Sequence, residues 1–258
     1  MAAERAWLMR VNEACGGAAL RPCSAAMNPA SDFKSPDFRH ARDWLFDLDN
    51  TLYAPGCGLL TQIEARMAAF VARHLGVDGE EAHRVRQSLY RDHGTTLNGM
   101  VQVHGIDPEP FLDYVHDIDL SVLTPDARLA SGLARLSGRR LVFTNGCRHH
   151  AGRVLDRLGI APLFDGIWDI RSLGLVPKPS PAAYDLLIAQ AGIAPRQAVM
   201  FDDMTRNLAA AHALGMTTVW LNHGPLWSGD GPEAKVAPDG PIDHEIADLA
   251  GFLHAIRI

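Results

Sequence analysis

Five short apolar runs alternate with helical stretches, and this alternation restricts the possible folds more than any other feature. The runs span 44–47, 140–144, 166–170, 198–202 and 217–221, with helical stretches near 149–158, 181–191 and 204–214. Strand followed by helix at this spacing requires right-handed crossovers, and so a parallel sheet covered on both faces. The expected core is a doubly wound, Rossmann-like α/β sheet over 43–56 and 124–258. Ser180 and Pro181 read as a helix start, with a capping hydroxyl ahead of proline at the first helical position.

The gap between the first two runs departs from the pattern. Residues 57–137 read almost wholly as helix, punctuated by Gly76, Gly94, Gly105 and Pro108. One helix suffices for a crossover. The surplus predicts a helical cap over 57–123, inserted between the first and second core strands, entered near 56–58 and left near 123–125.

Composition excludes several classes. The chain has 258 residues, 47% hydrophobic and 21% charged, which suits a soluble protein of one large or two modest domains. A net charge of −6 supplies no basic face for nucleic acid or an anionic membrane. The four cysteines are too few and scattered for a disulfide framework or a zinc cluster. No apolar run approaches the roughly 20 residues that span a bilayer, so the default expectation is cytoplasmic. Residues 1–42 lack periodicity and a secretory apolar core, and read as a disordered leader with Met27 as a candidate start. Residues 224–241, rich in Gly and Pro, read as a loop before a closing helix near 244–256.

The chemistry gathers where the strands end. Residues 44–53 read W-L-F-D-L-D-N-T-L-Y, placing Asp47 and Asp49 two apart at the end of an apolar strand. Side chains two apart on a strand point the same way, and paired carboxylates repel and resist desolvation. A turn or helix cap is the plain alternative for such residues. The second run ends in Thr144-Asn145-Gly146 and the fourth in Asp202-Asp203, while Lys178 sits in P-K-P-S-P ahead of that fourth strand. In open parallel sheets, ligands bind beyond the carboxyl ends of the strands. Four such segments would therefore share one crevice.

Four carboxylates in one mouth call for a hard dication with oxygen ligands, Mg²⁺ by default. One carboxylate can attack phosphorus, and a second can protonate the leaving oxygen and later activate water. Thr144, Asn145 and nearby backbone N–H groups can bind phosphoryl oxygens, with Lys178 supplying positive charge.

D-L-D-N-T, T-N-G, a lone downstream lysine and D-D, in that order over roughly 43–222, resemble the four motifs of the haloacid dehalogenase superfamily of phosphohydrolases. The resemblance implies Asp47 as nucleophile and Asp49 as acid/base, with Asp49 also giving its backbone carbonyl to Mg²⁺. It implies Thr144, Asn145 and Lys178 at the phosphate, and Asp202 with Asp203 at or behind the metal. It also implies an α-helical cap at the position of the insertion. Dehalogenation is disfavoured because Asp49 is present where the family's dehalogenases lack an acid. Phosphonate cleavage is disfavoured because 57–137 contains no lysine for a Schiff base. D-L-D-N-T-L-Y, Y-R-D-H-G-T-T-L-N-G and F-L-D-Y-V-H-D further resemble the pyrimidine 5′-nucleotidase branch, implying a nucleoside 5′-monophosphate as the small phosphorylated partner. The alternatives are a sugar-phosphate phosphatase or phosphomutase on the same core, or a non-catalytic metabolite-binding protein. The last would be expected to have lost Asp47, Asp49 or Lys178, and all three stand.

Plain readings remain beside the sharp ones. The only lysines are Lys34, Lys178 and Lys235, so a lysine between two prolines in an arginine-rich chain reads as functional rather than as surface. Asp203 is either a metal ligand or the cap of the next helix, and Asn207 either orients that loop or, the favoured reading, is a helix residue facing solvent. His149 and His150 are adjacent on a helix and cannot face one metal, so His150 is expected to pack or bond locally. Tyr90, His116 and Asp117 are weaker substrate-site candidates in the cap.

Overall fold

A computed structural model describes residues 36–224 and 240–258. The expectations for 1–35, Met27 included, and for the loop over 225–239 fall outside the described residues. The chain runs through β1 (Asp43–Phe46), α1 (Leu59–Leu75), α2 (Gly79–His93), α3 (Thr96–His104), α4 (Pro108–Val115) and α5 (Ala127–Arg135). There follow β2 (Arg139–Phe143), α6 (Arg148–Leu158), β3 (Gly166–Trp168), α7 (Pro181–Ala191) and β4 (Ala198–Asp202). Last come α8 (Thr205–Ala213), β5 (Thr217–Leu221), β6 (His244–Ile246) and α9 (Leu249–Ala255).

The strands form one parallel sheet in the order β3-β2-β1-β4-β5-β6. β1 is central and wholly buried, with Phe46 in register with Val142 on one side and Phe201 on the other. Alternation divides its residues between two cores. Trp44 and Phe46 join Val142, Val199 and Phe201 under Leu133, Leu155 and Leu253 of α5, α6 and α9. Leu45 joins Leu141, Phe143 and Met200 under Tyr184 and Leu208 of α7 and α8. The rings of Phe46 and Phe201 stack across neighbouring strands at 4.6 Å. Each such buried side chain contributes about 1.5–3 kcal/mol, so the strand interiors are apolar and charge is confined to strand ends, as with Asp43 and Asp202.

Between β1 and β2, α1 packs on α2 and α4, and α2 packs on α3. Asp78, Thr95 and Asp107 cap α2, α3 and α4 by accepting backbone N–H bonds from Glu81, Asn98 and Glu109. Gly99 permits the α2–α3 contact, since a Cβ there would fall 2.7 Å from that of Leu89. The fifth helix of this stretch, α5, packs on α9 instead and belongs with the sheet. Among the described residues no helix is long and apolar enough to cross a membrane.

Five expectations need correction. The first strand ends at Phe46, leaving Asp47 beyond it, and the third ends at Trp168. Residues 36–42 are not a loose leader: Phe38 is buried, and its N–H donates to the carbonyl of Arg257 at 2.8 Å. The segment 244–256 is not one helix, because His244–Ile246 pairs with β5 as a strand before Asp248 caps α9. Ser180 makes no capping side-chain bond, so α7 starts on the fixed backbone of Pro181.

Candidate active site

Asp47 is the first residue past β1, and its N–H still donates to the carbonyl of Phe201 at 2.9 Å. That bond continues the ladder and anchors the carboxylate at the sheet end. The chain then turns at Asn50, whose φ of 60° lies in the left-handed region that asparagine tolerates. The two carboxylates take different surroundings, Asp47 with Lys178 and Asp49 with Tyr53 and His150.

Lys178 is almost fully buried, and its Nζ donates to Asp47 Oδ1 and Asp202 Oδ2, each at 2.8 Å. Asn145 holds the lysine loop from the adjacent strand end. Its Oδ1 accepts from the N–H of Lys178 at 2.8 Å, and its Nδ2 donates to the lysine carbonyl at 3.1 Å. The side chain expected at the phosphate is thus committed to placing Lys178. Thr144 Oγ1 accepts from the N–H of Gly146 at 2.9 Å and is buried in the same turn.

Asp202 Oδ1 accepts from the N–H of Met204 at 2.8 Å, and Asn207 Nδ2 donates to both oxygens of Asp202. Asn207 is therefore buried at the site and does not face solvent. One helical turn below the acidic pair, it orients Asp202. Asp203 does not cap α8, whose cap residue is Met204; its Oδ2 accepts from Asn50 Nδ2 at 3.4 Å.

Single carboxylate oxygens of Asp47, Asp202 and Asp203 lie within 4.8 Å of one another. Burial raises the Asp47 carboxyl to about 7, against the pull of Lys178 and with a further push from Asp202 and Asp49. Burial, with Asp202 and Asp47, raises Asp203 well above the carboxylate range. One ammonium among three carboxylates leaves a negative surplus that an oxygen-coordinated dication would cancel. The donor set fits Mg²⁺, which Asp47, Asp202 and Asp203 would hold. The Asp49 side chain is not in this cluster.

Asp49 is held elsewhere. Burial pushes its carboxyl up, but His150 and Tyr53 outweigh that and keep it below the usual range. Tyr53 Oη donates to Asp49 Oδ1 at 2.5 Å, and His150 Nε2 lies 3.1 Å from the same oxygen. His150 thus reaches a residue 101 positions away, not a local partner, while His149 is exposed.

A cavity of about 200 Å³ opens over these groups. Its floor includes Asp47, Asp49, Thr144, Asn145, Lys178 and Asp203. Its apolar wall comes from the insertion, through Ile63, Met67, Leu97, Phe111, Leu112 and Val115. Glu64, Arg86, Gln87, Tyr90 and Arg206 add polar positions. Of the three weaker candidates, Tyr90 and His116 line the cavity; Asp117 lies outside it, exposed and paired with Arg66 at 3.3 Å. Arg86 and Glu64, 3.5 Å apart, were missed in the sequence because charged residues on a helix ordinarily face water.

Asp169 braces the turn that leads from β2 into α6. It accepts from the N–H groups of Arg148 at 2.8 Å and Ser172 at 3.0 Å. Burial raises its carboxyl, but these donors prevail and hold it below the ordinary value. A depressed carboxyl stabilises the fold above its unfolded pKa, and that gain vanishes as pH falls through the folded value. Asp169→Ala is expected to cost about 1–3 kcal/mol at neutral pH, with the deficit closing below the ordinary carboxylate range. Urea titrations at neutral and acid pH check this, and equal neutral stabilities would contradict it.

Comparison with known proteins agrees with this geometry. Residues 45–215 match the family described as haloacid dehalogenase-like hydrolase. Phosphate metabolism protein 8 of Saccharomyces cerevisiae is 32% identical over 202 residues, covering 71% of this chain and 62% of that protein. Phosphoglycolate phosphatase of Pasteurella multocida is 32% identical over 126 residues, covering 48% of this chain and 55% of that protein. The matches thus span less than two thirds of either relative's length. The crystal structure of the HAD phosphatase from Thermococcus onnurineus has a TM-score of 0.55 at 20% identity, covering 84% of this chain and 100% of that one. It supports the fold.

Proposed function

This chain belongs to the haloacid dehalogenase-like hydrolase family, and on that premise we propose that it is a Mg²⁺-dependent phosphomonoesterase acting through Asp47. The observation that carries the reading is the unequal treatment of two neighbouring carboxylates. Asp47 faces Lys178 and the acidic cluster, while Asp49 is held apart by Tyr53 and His150.

An oxygen of Asp47 attacks phosphorus, the bond to the leaving oxygen breaks, and Asp49 gives that oxygen a proton. Water then attacks phosphorus, yields a proton to Asp49 and releases Asp47. Asp49 is ionised in the free protein, and the negative charge of an arriving phosphate raises its carboxyl, so protonation accompanies binding. Lys178 steadies Asp47 and balances charge that gathers on the phosphoryl oxygens. When bound, Mg²⁺ supplies the rest of that compensation. In the Thr144–Gly146 turn the N–H groups of Thr144 and Gly146 donate to Trp168 and Thr144, which leaves that of Asn145 as the backbone donor proposed for a phosphoryl oxygen.

The preferred substrate is a nucleoside 5′-monophosphate, pyrimidine in the first instance. Its support is the likeness of residues 90–99 and 111–117 to that branch, with Tyr90, Thr95, Leu97 and Phe111 on the cavity wall. An apolar wall can hold a base face, and Glu64, Arg86 and Gln87 can bond a base edge. Sites that bond a polar edge reject analogues lacking it by large factors. The Pasteurella relative's name favours a second reading, a small acid or sugar phosphate, which Arg86 and Arg206 could serve. A panel of UMP, CMP, AMP, glucose 6-phosphate and phosphoglycolate separates them. The expected kcat/KM for UMP or CMP exceeds the others by at least about tenfold, roughly 1.4 kcal/mol. Equal rates, or a sugar phosphate or phosphoglycolate ahead, would sink the nucleotidase reading and leave the phosphatase reading standing.

A further inference from the structure

We propose that His150 is a positioning residue for Asp49, fixing its carboxyl so that the transferred proton is carried on Oδ2. This rests on the reading of Asp49 as the acid/base. Tyr53 Oη at 2.5 Å and His150 Nε2 at 3.1 Å both converge on Oδ1. An oxygen that accepts two donors keeps its electron density engaged there, and Oδ2 becomes the basic one. Tyr53 lies four residues from Asp49 in the same stretch of chain. His150, from α6, is the reference point fixed to the sheet.

The imidazole is suited to that task. His150 is fully buried, and its Nδ1 has no hydrogen-bond partner among the described residues. The tautomer with hydrogen on Nε2 donates to Asp49 and leaves only a lone pair unmatched. The other tautomer would bury an unmatched N–H and set a lone pair against a carboxylate. The ring is also clamped. His116, at the end of α4, stacks on it at 4.4 Å and 14°, and is itself fixed by Cys147 Sγ at 3.2 Å from its Nδ1. On the turn side sits Gly146, where a Cβ would come within 3.5 Å of His150 Cδ2. The insertion thereby braces the acid through the His150 ring, which does not line the cavity.

The test compares two aryl monoesters of similar shape, phenyl phosphate and p-nitrophenyl phosphate. Only the first expels an oxygen that needs a proton, and kcat/KM reports the step up to loss of that group. The readout is the ratio of kcat/KM for phenyl phosphate to that for p-nitrophenyl phosphate. It is expected to fall at least tenfold in His150→Ala and to return within about threefold of wild type in His150→Gln, whose amide can donate from the Nε2 position. A merely structural role would lower both esters together and leave the ratio unchanged in His150→Ala, overturning the proposal. Should His150→Ala fail to fold, a folded His150→Gln with a ratio tenfold below wild type overturns it equally. Asp49→Asn separates the two layers. If its ratio does not fall, the acid reading itself fails; if it falls and that of His150→Ala does not, only the positioning role fails. Hydrolysis of neither ester by the wild type would overturn the phosphatase reading and this proposal with it.

Discussion

Asp47→Asn is expected to lower turnover by well over about a hundredfold while leaving the fold intact. The amide is nearly isosteric with the acid but cannot attack phosphorus. Stability is expected to hold because burial already disfavours the charged form of Asp47, which stands at about 7. A neutral side chain relieves repulsion with Asp202, and Lys178 keeps its bond to Asp202 Oδ2 at 2.8 Å. Steady-state phosphate release and thermal unfolding, measured on the same preparation, check both halves. Activity above about one hundredth of wild type would rule out Asp47 as the nucleophile.

Lys178→Met is expected to damage stability as well as rate. The ammonium is buried between Asp47 and Asp202, and its loss leaves three crowded carboxylates without their internal cation. Breaking a buried pair on one side costs about 3–5 kcal/mol, because the remaining charge stays buried. The loss should be largest in chelator and smaller in Mg²⁺, since a dication bound to the same carboxylates stabilises the state that holds it. Unfolding curves for wild type and variant in chelator and in Mg²⁺ give the four values required. A variant as stable as wild type in chelator would show that Lys178 does not hold the cluster together.

The sheet was legible because β1 is central and buried on both faces, which demands an unbroken apolar run ahead of Asp47. Lys178 was legible because the chain is otherwise so poor in lysine. The less visible features depend on contacts that close only in three dimensions. Asn207 has the look of a solvent-facing helix residue until α8 swings its amide under Asp202. His150 meets Asp49 across 101 residues, a separation that leaves no local pattern. Asn145 was assigned to phosphate by its motif, yet its side chain grips the Lys178 backbone, and only the folded loop reveals that exchange. β6 escaped notice because His244–Ile246 is three residues long and runs almost directly into α9. Phe38 was grouped with a featureless leader, and its burial depends on the other end of the chain.

The central claim is a covalent phosphoryl group on Asp47. The most direct measurement is intact-protein mass spectrometry after rapid acid quench during turnover of p-nitrophenyl phosphate in Mg²⁺. The account predicts wild-type protein carrying one added phosphoryl group, removable by hydroxylamine as an acyl phosphate is, and no such species in Asp47→Asn. Phosphate release without any phosphorylated wild-type protein, or the same adduct in Asp47→Asn, would contradict it.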